Sequence, residues 1–431
     1  MPNRQVFSSR LATLLTMVGV AVGLGNVWRF PYMMGRFGGS AFLFVYLFFV
    51  LAFAVPALMG EWALGRATRR GPLGALTAAL GPGGRWLGAV LLVTVLVANS
   101  YYVVIIANVA YTAVFALLRG FGDSTLASYQ TGLENGLLQA AVSAGIIGSA
   151  MLVLYRGLNR GIERISKLFV PFFGLVVAYL IITSLSLPGA VDHLFNFLRP
   201  DFRSLTGTSV FAAMGQAFFS LSLGGTFYLI YGSYLRDEER IPPTATLTAL
   251  GDVTGALMAA LFIVPTALVF GLDLETGPRL IFDTLPRLFG EIPAGRLLGT
   301  LFLSALTLIA YLSSIAAFQV LIGALLDSFG FTIKRALVLV GLLEVLLMLP
   351  SALRPELIPV LDLVFGSGMQ VVGSGIALIA LTWGLGRVVT LRQIFGGTEG
   401  FWPRVYFNWI RWLVPLGLLA TLGFFIADSV R

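Results

Sequence analysis

Residues 17–31 read MVGVAVGLGNVWRFP, and residues 215–235 read GQAFFSLSLGGTFYLIYGSYL. Each stretch lies in an apolar run of membrane-crossing length, and each is interrupted by glycines: Gly19, Gly23 and Gly25 in the first, Gly224 and Gly225 in the second. Small polar residues stand beside the glycines, Asn26 in one stretch and Ser220, Ser222 and Thr226 in the other. Unwinding a helix in hydrocarbon frees amides and carbonyls, which are tolerated there only where something polar fills the gap. Gly25 and Gly224 stand roughly 200 residues apart, each in the first helix of a five-helix set, as an inverted repeat requires. Half-helix N-termini suit a carboxylate, while freed carbonyls and half-helix C-termini suit a monovalent cation or an ammonium. Two such breaks facing one another would hold a zwitterion with hard cations. For the first stretch alone, close helix packing through the Gly19/Gly23 pair is an equally open reading.

The rest of the chain fits that setting. Of its 431 residues 58% are hydrophobic and 11% charged, far from the roughly 25% charged residues of soluble domains. Strict alternation is absent, so the spans read as helices: 11–35, 40–66, 86–118, 137–155, 165–187, 209–235, 243–271, 294–326, 335–350, 358–386 and 406–427. The fold class expected is an all-α integral membrane protein with 11 transmembrane helices. With the N-terminus placed in the cytoplasm, most of the 28 Lys and Arg residues fall in short inner loops, among them Arg66, Arg69, Arg70, Arg156, Arg160 and Arg164. The positive-inside rule thus accounts for the net charge of +8 without a nucleic-acid partner, and puts the C-terminus outside. Cysteine is absent and His193 is the single histidine, which excludes disulfides, thiol nucleophiles and zinc sites. No paired carboxylates share a helix face, so an enzyme is not expected. The connections 188–206 and 272–293 read either as short helices over an outer vestibule or as loops.

These residues carry a resemblance. AVGLG followed by NVWRFP, GGSAFLFVYLFFV at 38–50, GEWALGR at 60–66 and FFSLSLG at 218–224 resemble the neurotransmitter:sodium symporters. The chain looks like a bacterial eleven-helix member with the LeuT-type 5+5 inverted repeat and unwound helices 1 and 6. The resemblance implies repeats over 1–187 and 207–386, an extra helix at 404–431, and a single transport domain in the inner membrane, as a monomer or homodimer. It implies two sodium sites and no organic cofactor. The first would use Ala21, Asn26, Ser220 and Asp252; the second Gly19, Val22, Ala310, Ser313 and Ser314. Ala310, Ser313 and Ser314 share one helix face, although serines bonded to their own preceding turn would fit that pair as well. Substrate contacts implied are Ala21, Leu24 and Gly25; Phe219, Ser220, Ser222 and Gly225; Ala98 and Tyr102; and Ser314 and Phe318.

Further roles follow from the same match. Arg29 and Asp362 pair as an outer gate with Tyr102 and Phe219 as lid, a static ion pair being the plainer alternative. Arg4 and Asp327 pair as an inner gate. Gly161 and Pro171 bracket a helix-5 segment able to unwind, against a simple proline kink. Glu61 would accept bonds from freed amides of the sixth helix. Tyr311 unsettles the packing expected at the second sodium site, and Glu344 has no nameable partner and reads as lying near the outer interface. Where amine-carrying relatives place an aspartate this chain has Gly23, so the substrate brings its own carboxylate: a neutral, apolar amino acid. Asp252 supplies a built-in negative charge near Tyr46 and Gln216, which makes chloride superfluous. Sodium-independent or proton-coupled transport on this fold, or a non-transporting amino-acid sensor, are the alternatives.

Overall fold

The computed structural model describes residues 5–272, 274, 277, 279–398 and 400–429. Among them every regular element is a helix. Nine helices are long and apolar enough to cross a membrane, and a bent pair makes ten. That pair is α1, Arg10–Ala21 followed by Gly25–Arg36, with 58° between its halves. The intact spans before the second break are α2 (Ser40–Thr68), α3 (Pro82–Leu118), α4 (Gly136–Tyr155) and α5 (Leu158–Leu185). The second broken span, α6, consists of Gly207–Ser220 and Phe227–Gly232. Each of its halves, 14 and 6 residues, is too short to cross alone. Then follow α7 (Ile241–Val269), α8 (Gly295–Phe329), α9 (Ile333–Leu353), α10 (Pro355–Phe395) and α11 (Phe401–Phe424).

The halves sit where backbone geometry dictates. Val22 is extended (φ −67, ψ 125) and ends the first half of α1. In α6, Ser222 (φ 52), Gly224 (φ 79) and Thr226 (φ 60) are all left-handed, a conformation no continuous helix of L-residues sustains. A Cβ at Gly224 would fall on the Gln370 carbonyl oxygen of α10. Glycine is therefore required there twice over, for its dihedrals and for the close approach of α10.

Burial places these breaks centrally. α7 and α8 are the most enclosed spans, and α5 and α11 the least. α3 and α8 form the most extensive helix pair, and α1 packs on α5, α7 and α8. Leu152, Leu175, Ile182, Leu342, Leu346 and Leu419 are exposed on the outer helices, the apolar rind that a hydrocarbon solvent tolerates.

Several limits differ from the sequence reading. α5 begins at Leu158 rather than 165, because Gly157 (φ 76) restarts the chain in a widened turn over Leu158–Ile162. From Glu163 to Leu185 the helix is continuous through Pro171, so the bracketed segment is wound in this structure. α10 continues to Phe395. Both longer connections contain helices, Ala190–Phe197 and Leu285–Glu291. Two helices were not anticipated, Pro72–Leu80 and Asp123–Leu133.

Candidate functional site

The first break is patched by side chains as well as by backbone, the Asn26 N–H donating to the Gly23 carbonyl at 3.2 Å. The Gly23 N–H donates to Asn26 Oδ1 at 2.9 Å. The Val20 carbonyl accepts from Ser313 Oγ of α8 at 3.1 Å, with Ser222 Oγ of the second break at 3.4 Å. Among the described residues no donor reaches the carbonyls of Gly19, Ala21 and Val22. Buried carbonyls are rarely left so. A cluster of bare oxygens at a helix break is what a hard cation requires.

Beside the break lies a buried polar knot. Asn26 Nδ2 donates to Asp252 Oδ1 at 2.7 Å and to Ser220 Oγ at 3.1 Å, and Ser220 Oγ donates to Asp252 Oδ2 at 2.7 Å. Three spans, α1, α6 and α7, thus meet at one carboxylate that solvent does not reach. The Tyr46 hydroxyl faces the same carboxylate from α2. Gln216, one turn from Ser220, is fully buried with both amide atoms unpartnered among the described residues. Glu61 does what was expected of it: its Oε1 accepts the Gly224 N–H at 2.7 Å.

The space between the breaks is walled by α3 and α8. The Tyr102 hydroxyl faces the Leu24 backbone and Ser313, and a Cβ at Gly23 would lie 3.4 Å from both that hydroxyl and Ser313 Oγ. Gly23, Leu24, Tyr102 and Ser313 therefore converge, with no charged side chain in that group. The Phe219 ring rests on Gly25.

Comparison with known proteins bears on this arrangement. The profile of the sodium:neurotransmitter symporter family matches residues 4–131 and 121–429. The chain belongs to that family. An uncharacterized sodium-dependent transporter of Methanocaldococcus jannaschii is 31% identical over 362 residues, 78% of this chain and 73% of the relative. A second, from Haemophilus influenzae, is 28% identical over 97% of each chain. Among solved structures, the crystal structure of MhsT in complex with L-phenylalanine is similar at a TM-score of 0.87 with 28% identity, over 97% of this chain and 99% of that one. The LeuT-type fold and the multi-pass, sodium-dependent transporter class follow.

Other residues singled out by the family resemblance take up these positions. Ala21, Val22 and Leu24 are buried at the first break, Ala310, Ser314 and Phe318 are buried on α8, and Ala98 is half-buried on α3. Gly225 faces the chain's own Phe227, whose ring Cζ would stand 2.8 Å from a Cβ there; that space is filled from within. Ser314 does not bond to its own preceding turn: its hydroxyl donates to Asn99 Oδ1 of α3 at 2.8 Å. Tyr311 leaves the site altogether and bonds to Ser149 of α4 at 2.9 Å. Arg29 and Asp362 interact through space without direct contact. The Arg29 guanidinium lies 4.0 Å over the Phe219 ring, and Asp362 accepts the Tyr101 hydroxyl at 3.0 Å.

At the end of the bundle that carries the N-terminus, Arg4 lies outside the described residues, and Asp327 accepts the Gly71 N–H at 2.8 Å. Phe7 is buried between Tyr231 and Tyr234, and its N–H donates to the Tyr234 carbonyl at 3.1 Å. Ser8 bonds through both backbone and hydroxyl to Glu163, and Gln5 Oε1 accepts the Leu158 N–H at 2.8 Å.

Glu344 corrects the sequence reading. It is fully buried, not interfacial, and accepts from Asn99 Nδ2 at 3.1 Å. Asn99 was missed. An amide in the middle of a long apolar helix, three positions before Tyr102, was the available signal.

Proposed function

We propose that this protein couples the inward movement of sodium to uptake of a neutral, apolar amino acid by alternating access, independently of chloride. The observation that carries the proposal is the meeting of Asn26, Ser220 and Asp252 beside three undonated carbonyls in the first-helix break. The donor set fits sodium, being all oxygen with one carboxylate. The first sodium would lie among Ala21, Asn26, Ser220 and Asp252, the second among Gly19, Val22, Ala310, Ser313 and Ser314. The bound ions supply positive charge at the breaks. The chain's own groups do the rest: Tyr102 and the Leu24 amide receive the substrate carboxylate, and Phe219 closes over it.

Sharing of the first ion between protein oxygens and the substrate carboxylate is the energetic link, since each ligand then raises the other's affinity. Asp252 supports chloride independence because its carboxylate already sits where a compensating anion is needed. Gly23 supports a substrate that carries its own carboxylate, and the resemblance to the phenylalanine-bound MhsT structure supports an apolar side chain. The same reading takes 1–187 and 207–386 as inverted repeats, puts the N-terminus in the cytoplasm and the C-terminus outside, and has Arg29 with Asp362, and Arg4 with Asp327, close the two ends.

Proteoliposomes loaded without sodium test this directly. Accumulation of labelled phenylalanine or leucine above the outside concentration is expected in sodium chloride and sodium gluconate, and not in choline chloride. Equal accumulation in choline would point to sodium-independent or proton-coupled transport. Binding without accumulation would make the protein a sensor.

A further inference from the structure

A buried carboxylate that the transport scheme does not use lies behind the second sodium site. Glu344 of α9, Asn99 of α3 and Ser314 of α8 form an unbroken chain: Ser314 Oγ donates to Asn99 Oδ1 at 2.8 Å, and Asn99 Nδ2 donates to Glu344 Oε1 at 3.1 Å. All three residues are nine-tenths or more buried, and Glu344 Oε2 has no donor among the described residues. The donor sense matters. With Glu344 Oε1 accepting from the Asn99 NH2, the amide carbonyl is left facing Ser314. The Ser314 proton is then drawn onto Asn99, and both lone pairs of its oxygen stay free for a cation. An Asn amide left to itself could turn over, donate to Ser314 and occupy one of those lone pairs. Chains of hydrogen bonds aligned in one sense also polarise one another, which makes the Ser314 oxygen a stronger ligand.

Asp362 of α10 meets α3 at Tyr101, two positions and about 200° round the helix from Asn99, and does not bond to this chain of hydrogen bonds. The other charged side chains of α3, α8 and α9 lie near the helix ends: by the helical rise of about 1.5 Å per residue, Arg335 is about 14 Å along the axis from Glu344, Asp327 about 20 Å from Ser314, and Arg85 about 21 Å from Asn99. α4, against which α9 packs, carries no Asp, Glu, Lys, Arg or His.

We propose that Glu344 is a positioning residue for the second sodium, acting through Asn99 to hold Ser314 in its ligating orientation. This rests on the reading of Ser314 as a sodium ligand. The experiment is a sodium titration of the purified full chain, followed by the sodium-dependent rise in its thermal unfolding temperature. It uses Glu344→Gln, Ser314→Ala and the double variant, with Ser313→Ala as the parallel background. Glu344→Gln keeps the shape but lets the Asn99 amide turn over. It is expected to weaken apparent sodium affinity about five- to tenfold while leaving phenylalanine KM at saturating sodium unchanged. In the Ser314→Ala background the substitution should have no further effect, whereas in the Ser313→Ala background its full effect should persist. A merely structural role would give the same effect in both backgrounds, which would overturn the proposal. Ser314→Ala without any change in sodium affinity would instead overturn the sodium-site reading. Should Glu344→Gln fold poorly, Asn99→Thr leaves Glu344 a hydroxyl donor and breaks the bridge. An unaltered sodium affinity in that variant would equally refute the relay.

Discussion

The consequence most directly exposed to test is the contrast between two glycines, one in each break. A methyl group at Gly224 meets rigid backbone: the Gln370 carbonyl oxygen, and the Ser374 amide nitrogen at 2.7 Å. Its φ of 79 adds a left-handed penalty of about 1–2 kcal/mol for a residue with a Cβ. The overlap cannot be relieved without moving α10, and overpacking of this kind costs about 1–3 kcal/mol. Gly224→Ala should therefore lose ~2–5 kcal/mol of stability, at least about thirtyfold in the folded-to-unfolded ratio. At Gly25 the nearest atom is Phe219 Cε1 at 2.6 Å, the outer part of a ring that can swing. Gly25→Ala should leave stability within about 1 kcal/mol and act instead on substrate affinity by displacing the lid. Equilibrium unfolding in mixed micelles, paired with uptake in proteoliposomes, separates the two effects. A Gly224→Ala protein as stable as the parent would refute the left-handed break and the contact with α10.

Three further outcomes are expected. Asp252→Asn removes the internal anion, so sodium-driven uptake should fall about tenfold or more in gluconate and recover in part when chloride is restored; equal rates in both salts would count against the assigned role. Ser313→Ala strips the donor from the Val20 carbonyl and a ligand from the second sodium site, and the sodium concentration for half-maximal uptake should rise about tenfold. Gly23→Asp places a carboxylate beside Tyr102 and Ser313, where about 4 kcal/mol of repulsion at an effective dielectric of 20 would suppress phenylalanine uptake. Binding of phenethylamine, measured by thermal stabilisation, should appear in its place.

The two breaks could be read from the chain because no continuous span tolerates that density of glycine, and because Asn26, Ser220 and Ser222 mark polar content at bilayer depth. Their contact with Asp252 came from the family pattern, since nothing local ties residue 252 to residue 26. The pairing of Glu344 with Asn99 escaped for the same reason: a bond between residues 245 positions apart leaves no periodic trace in either helix. Arg29 faces Asp362 through space while its guanidinium rests on Phe219, a choice among neighbours that only side-chain packing makes. The start of α5 was misplaced because charges at Arg160, Glu163 and Arg164 look like loop, yet Glu163 is buried under Ser8 and Asn159. The Gly225 position illustrates the converse. The family pattern makes it a substrate contact, and in the structure it meets the chain's own Phe227.

Residues 5–8 act as a hasp. The same four positions are fastened to Tyr234, just past the second half of α6, and to Leu158 and Glu163 at the start of α5. Any motion that lifts the strip as one piece must break its bonds to both helices, so the ends of α5 and α6 are tied to each other through it.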